Sequence, residues 1–340
     1  MINIEFKSVI ELVRSFPDEQ TCINHLETMR WNGNVVSPFD ETSKVYKCAG
    51  NKYKCKNTGK YFNVRTGTLF DNTKIELQTW FVAIFLITTH KKGISSLQLS
   101  RDLNITQKTA WFLLHRIRNC FGIEPQQNDG DAKLGGEGEN IAVDETFVGG
   151  KNKNRHADKK VENSQGRSFK DKTPVIGIIQ NAQTQIVERP HKVIANRTVK
   201  EKIVKAPAIV KCVIAADTSG QSLKPAIEAI VKHGSVVVSD EWKGYSKIGV
   251  NYDHRIVDHT ANQYVNKFGD TTNAIEGFWS LFKRSYIGIY HYMSRKHLQN
   301  YADEMTFRYN HRHINDCTRF NVLLQNCSHR LTYKELIYAG

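Results

Sequence analysis

Three acidic residues have the type and setting to do chemistry. Asp144 follows the apolar run Ile141-Ala142-Val143 and precedes the pair Gly149-Gly150, and Asp240 follows Val236-Val237-Val238. Apolar β-branched runs bounded by turn formers read as buried strands, which sets each aspartate at a strand's end. Glu276 lies in the helical pattern from Asn273 to Arg284. Aspartate is rarely buried without a partner, so an acid in such a place is either a satisfied cap or a ligand for a cation. For Asp144 alone both readings stand. Three carboxylates on three elements of one domain can converge on divalent metal. Hard carboxylate oxygens suit Mg²⁺ or Mn²⁺, and two such ions roughly 4 Å apart serve phosphodiester hydrolysis. Asp217 also ends a strand, but before Thr218-Ser219-Gly220 it reads as a turn residue. Glu145 and Glu241 each follow one of the aspartates directly. Adjacent strand positions face opposite ways, so neither is assigned to metal.

The elements that must position these acids belong to a basic chain. Its 340 residues carry 48 Lys and Arg against 34 Asp and Glu, a net charge of +14. That excess favours a polyanionic partner. The longest apolar run, Trp80 to Ile87, is far short of the roughly 20 residues a membrane-spanning helix needs. Glu5, Glu11, Asp18 and Glu19 make the first twenty residues unlike a signal peptide. Seven cysteines at scattered spacings argue against a disulfide framework and for a reducing compartment. A soluble intracellular protein with no membrane partner is expected.

Residues 1 to about 30 read as a helix pair. Short aromatic strands at Tyr46–Cys48, Tyr53–Cys55 and Lys60–Phe62 then alternate as in a zinc ribbon. The knuckle positions read Ser37-Pro38-Phe39-Asp40 and Cys55-Lys56-Asn57-Thr58, which keep one cysteine of four. A degenerate, ribbon-shaped segment without zinc is the expectation. Residues 75–121 read as helical, and Gly93–Leu103, the tripeptide Asn104-Ile105-Thr106 and Gln107–Arg118 have a helix-turn-helix layout with Thr106 as N-cap. In a recognition helix, Gln107, Lys108 and Thr109 would meet base edges, and Arg116 and Arg118 phosphates. An ordinary helical hairpin with a solvated face fits the same pattern.

Polar, Gly-rich residues 126–139 read as a linker. Residues 151–172 hold eight basic side chains, Lys151, Lys153, Arg155, Lys159 and Lys160 among them, against three acidic ones. Such a loop is either simply solvated or a mobile arm that orders on nucleic acid. Strands at 174–179, near 185–187, at 211–217 and at 236–238, with a helix over 222–233, describe an α/β domain, a mixed sheet flanked by helices. The expected organisation is N-terminal helices and ribbon over 1–72, helix-turn-helix over 73–125, linker over 126–139, catalytic domain over 140–315 and a C-terminal tail over 316–340.

Val143-Asp-Glu-Thr-Phe-Val-Gly-Gly150, Val238-Ser-Asp-Glu-Trp-Lys-Gly-Tyr245 and Asn273–Arg284 with Gly288-Ile-Tyr-His291 resemble the DDE catalytic domain of insertion-sequence transposases. More narrowly they are similar to the ISXO2-like branch, the IS1595 group, and the similarity runs from about residue 20 to about residue 312. Thirty-five residues separate Asp240 from Glu276, and Lys283 follows Glu276 by seven, nearly two helical turns at about 3.6 residues per turn. The resemblance implies a ribonuclease-H-like fold with Asp144, Asp240 and Glu276 as metal ligands for two Mg²⁺ or Mn²⁺ ions, Asp144 bridging them. It also implies Lys283 on a phosphate of the bound strand and Asn273 orienting a ligand or the DNA, although Asn273 also reads as a helix cap. The implied partner is double-stranded DNA, both transposon ends and target, bound by a homo-oligomer at the nucleoid in the bacterial cytoplasm. Two alternatives stay open: a non-catalytic DNA-binding regulator descended from such an enzyme, and a nuclease acting on RNA.

Overall fold

The structure, a computed structural model, describes residues 5–122, 133–149, 156–162, 171–190, 194, 197–246, 248–258 and 265–338. The chain divides into two compact units, residues 1–126 with 314–340, and residues 127–313.

The first unit begins with α1 (Val9–Ser15) and α2 (Glu19–Trp31), capped by Ser8 and Asp18, whose side chains accept backbone N–H groups of the first turn. A small antiparallel sheet follows, β1 (Val45–Cys48), β2 (Lys52–Cys55) and β3 (Tyr61–Phe62). Next come α3 (Leu77–Thr89), α4 (Ser96–Asp102) and α5 (Gln107–Arg118). Asn104 adopts a left-handed backbone in the turn between α4 and α5, and the Thr106 hydroxyl accepts the Thr109 N–H at 3.2 Å.

The second unit is built on a five-stranded sheet. Its strands are β4 (Asn140–Gly149), β5 (Lys172–Gln180), β8 (Ile209–Ile214), β9 (Val236–Ser239) and β10 (Asp253–Ile256), in the order β10-β9-β4-β5-β8. β5 runs antiparallel to both its neighbours, β4 and β8, whereas β9 pairs parallel with β4 and β10 parallel with β9. Between β5 and β8 the chain forms a separate hairpin, β6 (Gln183–Pro190) with β7 (Thr198–Ala206). The sequence pattern signals β7 poorly because most of its residues are exposed, and its ladder to β6 holds it.

Helix α6 (Gly220–Ile230) covers one face of the sheet; α7 (Asn273–Ser285) and α8 (Leu298–Asn310) cover the other. The strand alternation of β4 decides which residue joins which core. Ile141 and Val143 pack with Ile176, Leu223, Ile227 and Tyr245, while Ala142 packs with Ile275, Phe278 and Trp279.

Of residues 316–340, expected as a tail, the described part forms α9 (Asp316–Gln325) and α10 (Tyr333–Tyr338) within the first unit. Phe320 of α9 is fully buried and meets Phe6 and Phe81 edge-on, with ring centres 5.3 and 5.5 Å apart. Aromatic burial of that size makes α9 a core element. Among the described residues no helix is long and apolar enough to cross a membrane.

Candidate active site

Asp240 directly follows β9, whereas Asp144, expected at a strand's end, lies within β4, which runs on to Gly149 because β5 continues to pair with it. The ladder between β4 and β9 ends at Ala142 opposite Val238, so each aspartate stands two residues past the last pair. The carboxyl ends of parallel strands leave a crevice of the kind in which ligands bind. The Asp240 carboxylate accepts the Trp242 N–H at 3.1 Å, and the Trp242 indole donates to the Thr218 carbonyl at 3.0 Å. Those two bonds fix the turn that follows Asp240.

Alternation along β4 turns Asp144 to the face covered by α7, the helix that carries Glu276 in its first turn. The buried Thr272 hydroxyl donates to Glu276 Oε1 at 3.0 Å. Just upstream, buried Asp270 accepts from Asn140 at 2.7 Å, from Arg255 at 3.2 Å and from Asn266 at 3.1 Å. The start of α7 is thereby tied to the start of β4. Gly177 of β5 lies directly opposite Asp144, and a Cβ there would come within 2.5 Å of Trp279 and 2.8 Å of Ile275. The missing side chain lets α7 close onto the strand beside Asp144.

The site's electrostatics are unfavourable as they stand. Burial first, then the charge of Glu145, pushes the Asp144 carboxyl up to about 7; the Glu145 N–H partly offsets this, and Asp240 and Glu276 add to it. Crowded carboxylates raise one another in this way. A divalent cation would relieve that repulsion, and an all-oxygen donor set fits a hard ion such as Mg²⁺ or Mn²⁺. Among the described residues no group of three or more His, Cys, Asp or Glu is gathered about a single point.

Glu145 points to the opposite face, where its carboxylate accepts the Tyr245 hydroxyl at 2.6 Å. Burial, then Glu145, raises the Tyr245 hydroxyl well above its ordinary range, so it stays a donor. Asp217 forms a turn, accepting the Ser219 N–H at 2.9 Å and the Ser219 hydroxyl at 2.7 Å, and these bonds hold its carboxyl low. Lys283 and Asn273 are exposed on α7. The N-cap of α7 is Thr272, so Asn273 is the first helical residue and not the cap.

In the first unit, Gln107 and Lys108 are exposed at the start of α5 and Thr109 is half-buried. The Gln107 amide donates to the Ser96 hydroxyl at 2.8 Å, and Lys108 lies over the Tyr333 ring at 5.7 Å. Arg116 and Arg118 do not lie on a solvated face. They are 5% and 2% exposed, and Arg116 donates to the Asp71 carbonyl at 2.9 Å over the Trp80 ring. Their place in the core removes them from the surface where phosphates would bind. Lys159 and Lys160 are exposed around the single turn Ala157–Lys159, and Lys151, Lys153 and Arg155 fall outside the described residues.

In the small β1–β3 sheet, where a degenerate ribbon is expected, Cys55 is fully buried. Burial opposes its thiolate, but bonds from Ser37, Ser43 and Thr58 outweigh that and lower the thiol to about 6. Three of the four knuckle positions thus converge in a hydrogen-bonded cluster.

Nothing in the local sequence marks Thr272, Asp270, Gly177 or Tyr245 as part of the site; the only signals are the repeated Asp-Glu at 144–145 and 240–241 and the Gly244-Tyr245 pair, because the groups these residues meet lie elsewhere along the chain.

The sequence profile of the ISXO2-like transposase domain matches residues 133–310. An uncharacterized protein in transposable element ISH50 of Halobacterium salinarum is 23% identical over 289 residues, covering 80% of this chain and 84% of that protein.

Proposed function

The chain belongs to the ISXO2-like transposase family, and we propose that it binds the terminal inverted repeats of its insertion sequence and catalyses metal-dependent DNA cleavage and strand transfer. The observation that carries this reading is geometric: Asp144 and Asp240 each lie two residues past the last β4–β9 pair, and Asp144 faces α7, the helix that carries Glu276 in its first turn. The sheet order β8-β5-β4-β9-β10, three antiparallel strands followed by two parallel to the first, supports a ribonuclease-H-like assignment.

Asp144, with Asp240 on one side and Glu276 on the other, would hold two Mg²⁺ or Mn²⁺ ions. Such ions make water or a hydroxyl nucleophilic at neutral pH and offset charge on the phosphate. The chain's own groups do the rest. Thr272 aims the Glu276 carboxylate, and the Trp242 N–H orients that of Asp240. Lys283, two turns along α7 from Glu276, would contact a phosphate of the bound strand, with Asn273 one turn before Glu276 beside the same strand. In the first unit the α4–α5 pair would act as a helix-turn-helix, presenting Gln107 and Lys108 to the major groove. Lys159 and Lys160 would add contacts without base preference. DNA is the partner the family implies, and a homo-oligomer on DNA at the bacterial nucleoid is the expected working form.

A non-catalytic regulator is the second reading, and the loss of zinc ligands at Ser37, Asp40 and Thr58 favours it. Substitution at the acids separates the two. Asp144→Asn, Asp240→Asn or Glu276→Gln should each abolish cleavage of a duplex bearing the element's ends and leave binding of that duplex intact. Lys283→Ala should weaken strand joining less, and Asp217→Asn should leave cleavage unchanged. An Asp217→Asn protein as inactive as Asp144→Asn would mean the wrong acid has been assigned.

A further inference from the structure

β4 and β9 are hydrogen-bonded only as far as Ala142 and Val238, so the strand ladder does not itself fix the gap between Asp144 and Asp240. Another bond joins β4 to the turn that follows β9 just past that point. Glu145, next to Asp144, accepts at 2.6 Å from the hydroxyl of Tyr245, five residues after Asp240. Both groups are enclosed, Glu145 at 8% exposure and Tyr245 at 0%. Around them pack Val143, Ile176, Leu223 and Ile227, on the face away from the one Asp144 addresses.

The segment from Asp240 to Tyr245 is otherwise held by the Trp242 indole on the Thr218 carbonyl. Gly244 lies so close that an added Cβ would meet that carbonyl at 2.6 Å and Leu223 at 2.8 Å. Tyr245 is therefore delivered to Glu145 by a turn with little freedom. Burying a carboxylate beside an already crowded aspartate is unfavourable, and a neutral side chain would fill the space at lower cost.

We propose that the Glu145–Tyr245 hydrogen bond is a positioning device that sets the spacing of Asp144 and Asp240 for a shared divalent cation. The inference rests on the reading of these aspartates as metal ligands. Neither Glu145 nor Tyr245 touches the cation or the DNA. They work from behind the sheet, as groups that orient metal ligands commonly do.

Tyr245→Phe tests it, because this change removes the bond and leaves every charge in place. Mn²⁺ binding to the full-length protein is measured by titration calorimetry, and thermal unfolding is followed in chelator. Tyr245→Phe should bind Mn²⁺ about tenfold or more weakly, the usual effect of losing such a partner. Glu145→Ala should lose at least as much, and the double variant no more than Glu145→Ala alone. A purely structural bond would lower the melting temperature in chelator and leave Mn²⁺ affinity within twofold of wild type, which overturns the proposal. Additive losses in the double variant overturn it as well. If the wild-type protein takes up no Mn²⁺, the metal reading of the site fails and this inference with it. Wild-type binding with an unchanged Tyr245→Phe affinity removes the inference alone.

Discussion

The ribbon and the carboxylate site each gather polar side chains from separate segments, with opposite energetic results. Around Cys55 the hydroxyls of Ser37, Ser43 and Thr58 bond the thiol, and their bonds outweigh burial. Around Asp144 burial and three negative neighbours all work against ionisation. A cluster that satisfies itself asks for nothing further. One that repels itself persists in a folded protein only where something outside the chain resolves the conflict, so strain of this kind points toward function. Hydrogen bonds stabilise the thiolate of the first cluster, whereas burial and neighbouring charge oppose ionisation in the second.

The largest expected effect on that contrast comes from Asp144→Asn. The carboxyl of Asp144 holds its proton more tightly in the folded chain than in the unfolded one. Its contribution is therefore favourable below about pH 4 and is lost as pH rises toward about 7, the value to which it is pushed. Without metal and above that pH, Asp144→Asn should stabilise the protein by at most about 4 kcal/mol, at about 1.4 kcal/mol per pH unit. Thermal unfolding in chelator at pH 8 measures it. Added Mn²⁺ should raise the wild-type melting temperature and leave that of the variant nearly unmoved. A variant less stable than wild type in chelator would break the comparison.

Gly177→Ala should act on the same site through packing alone. The new methyl group meets Trp279 and Ile275, so α7 must shift away from β5 beside Asp144. Overpacking of this kind costs about 1–3 kcal/mol. Denaturant unfolding gives the cost, and a loss of cleavage larger than the loss of stability would sharpen the claim that α7 positions Glu276. Unchanged stability would show that the helix has room to move.

The smallest effect belongs to the ribbon. Purified protein should carry well under one zinc per chain by elemental analysis, and a zinc chelator should leave its unfolding unchanged. One tightly held zinc per chain would mean that ligands other than Cys55 close the site, and the contrast would fall.

The acids of the site were legible because each follows a local pattern: Asp144 and Asp240 end β-branched runs, and Glu276 sits on an amphipathic helix. The mixed sheet could be read from the same runs. The partners that aim those acids were not legible, since Tyr245 meets Glu145 across 100 residues and Asp270 meets Asn140 across 130. Periodicity carries no record of such pairs. Arg116 and Arg118 misled for a related reason. Charge at the end of a helix reads as solvated, but Asp71, far upstream, supplies a carbonyl to Arg116, and Tyr333 of α10 packs on Phe112 of the same helix.

Cleavage by the wild-type protein tests the central claim most directly. A duplex carrying the element's terminal repeats is incubated with purified full-length protein in Mg²⁺, in Mn²⁺ and in chelator, and strand nicking and joining are followed on denaturing gels. The expected result is cleavage at the repeat ends with either ion and none in chelator, with the duplex bound in all three. Binding of the ends without nicking or joining in any divalent ion would contradict the account and leave a DNA-binding regulator in its place.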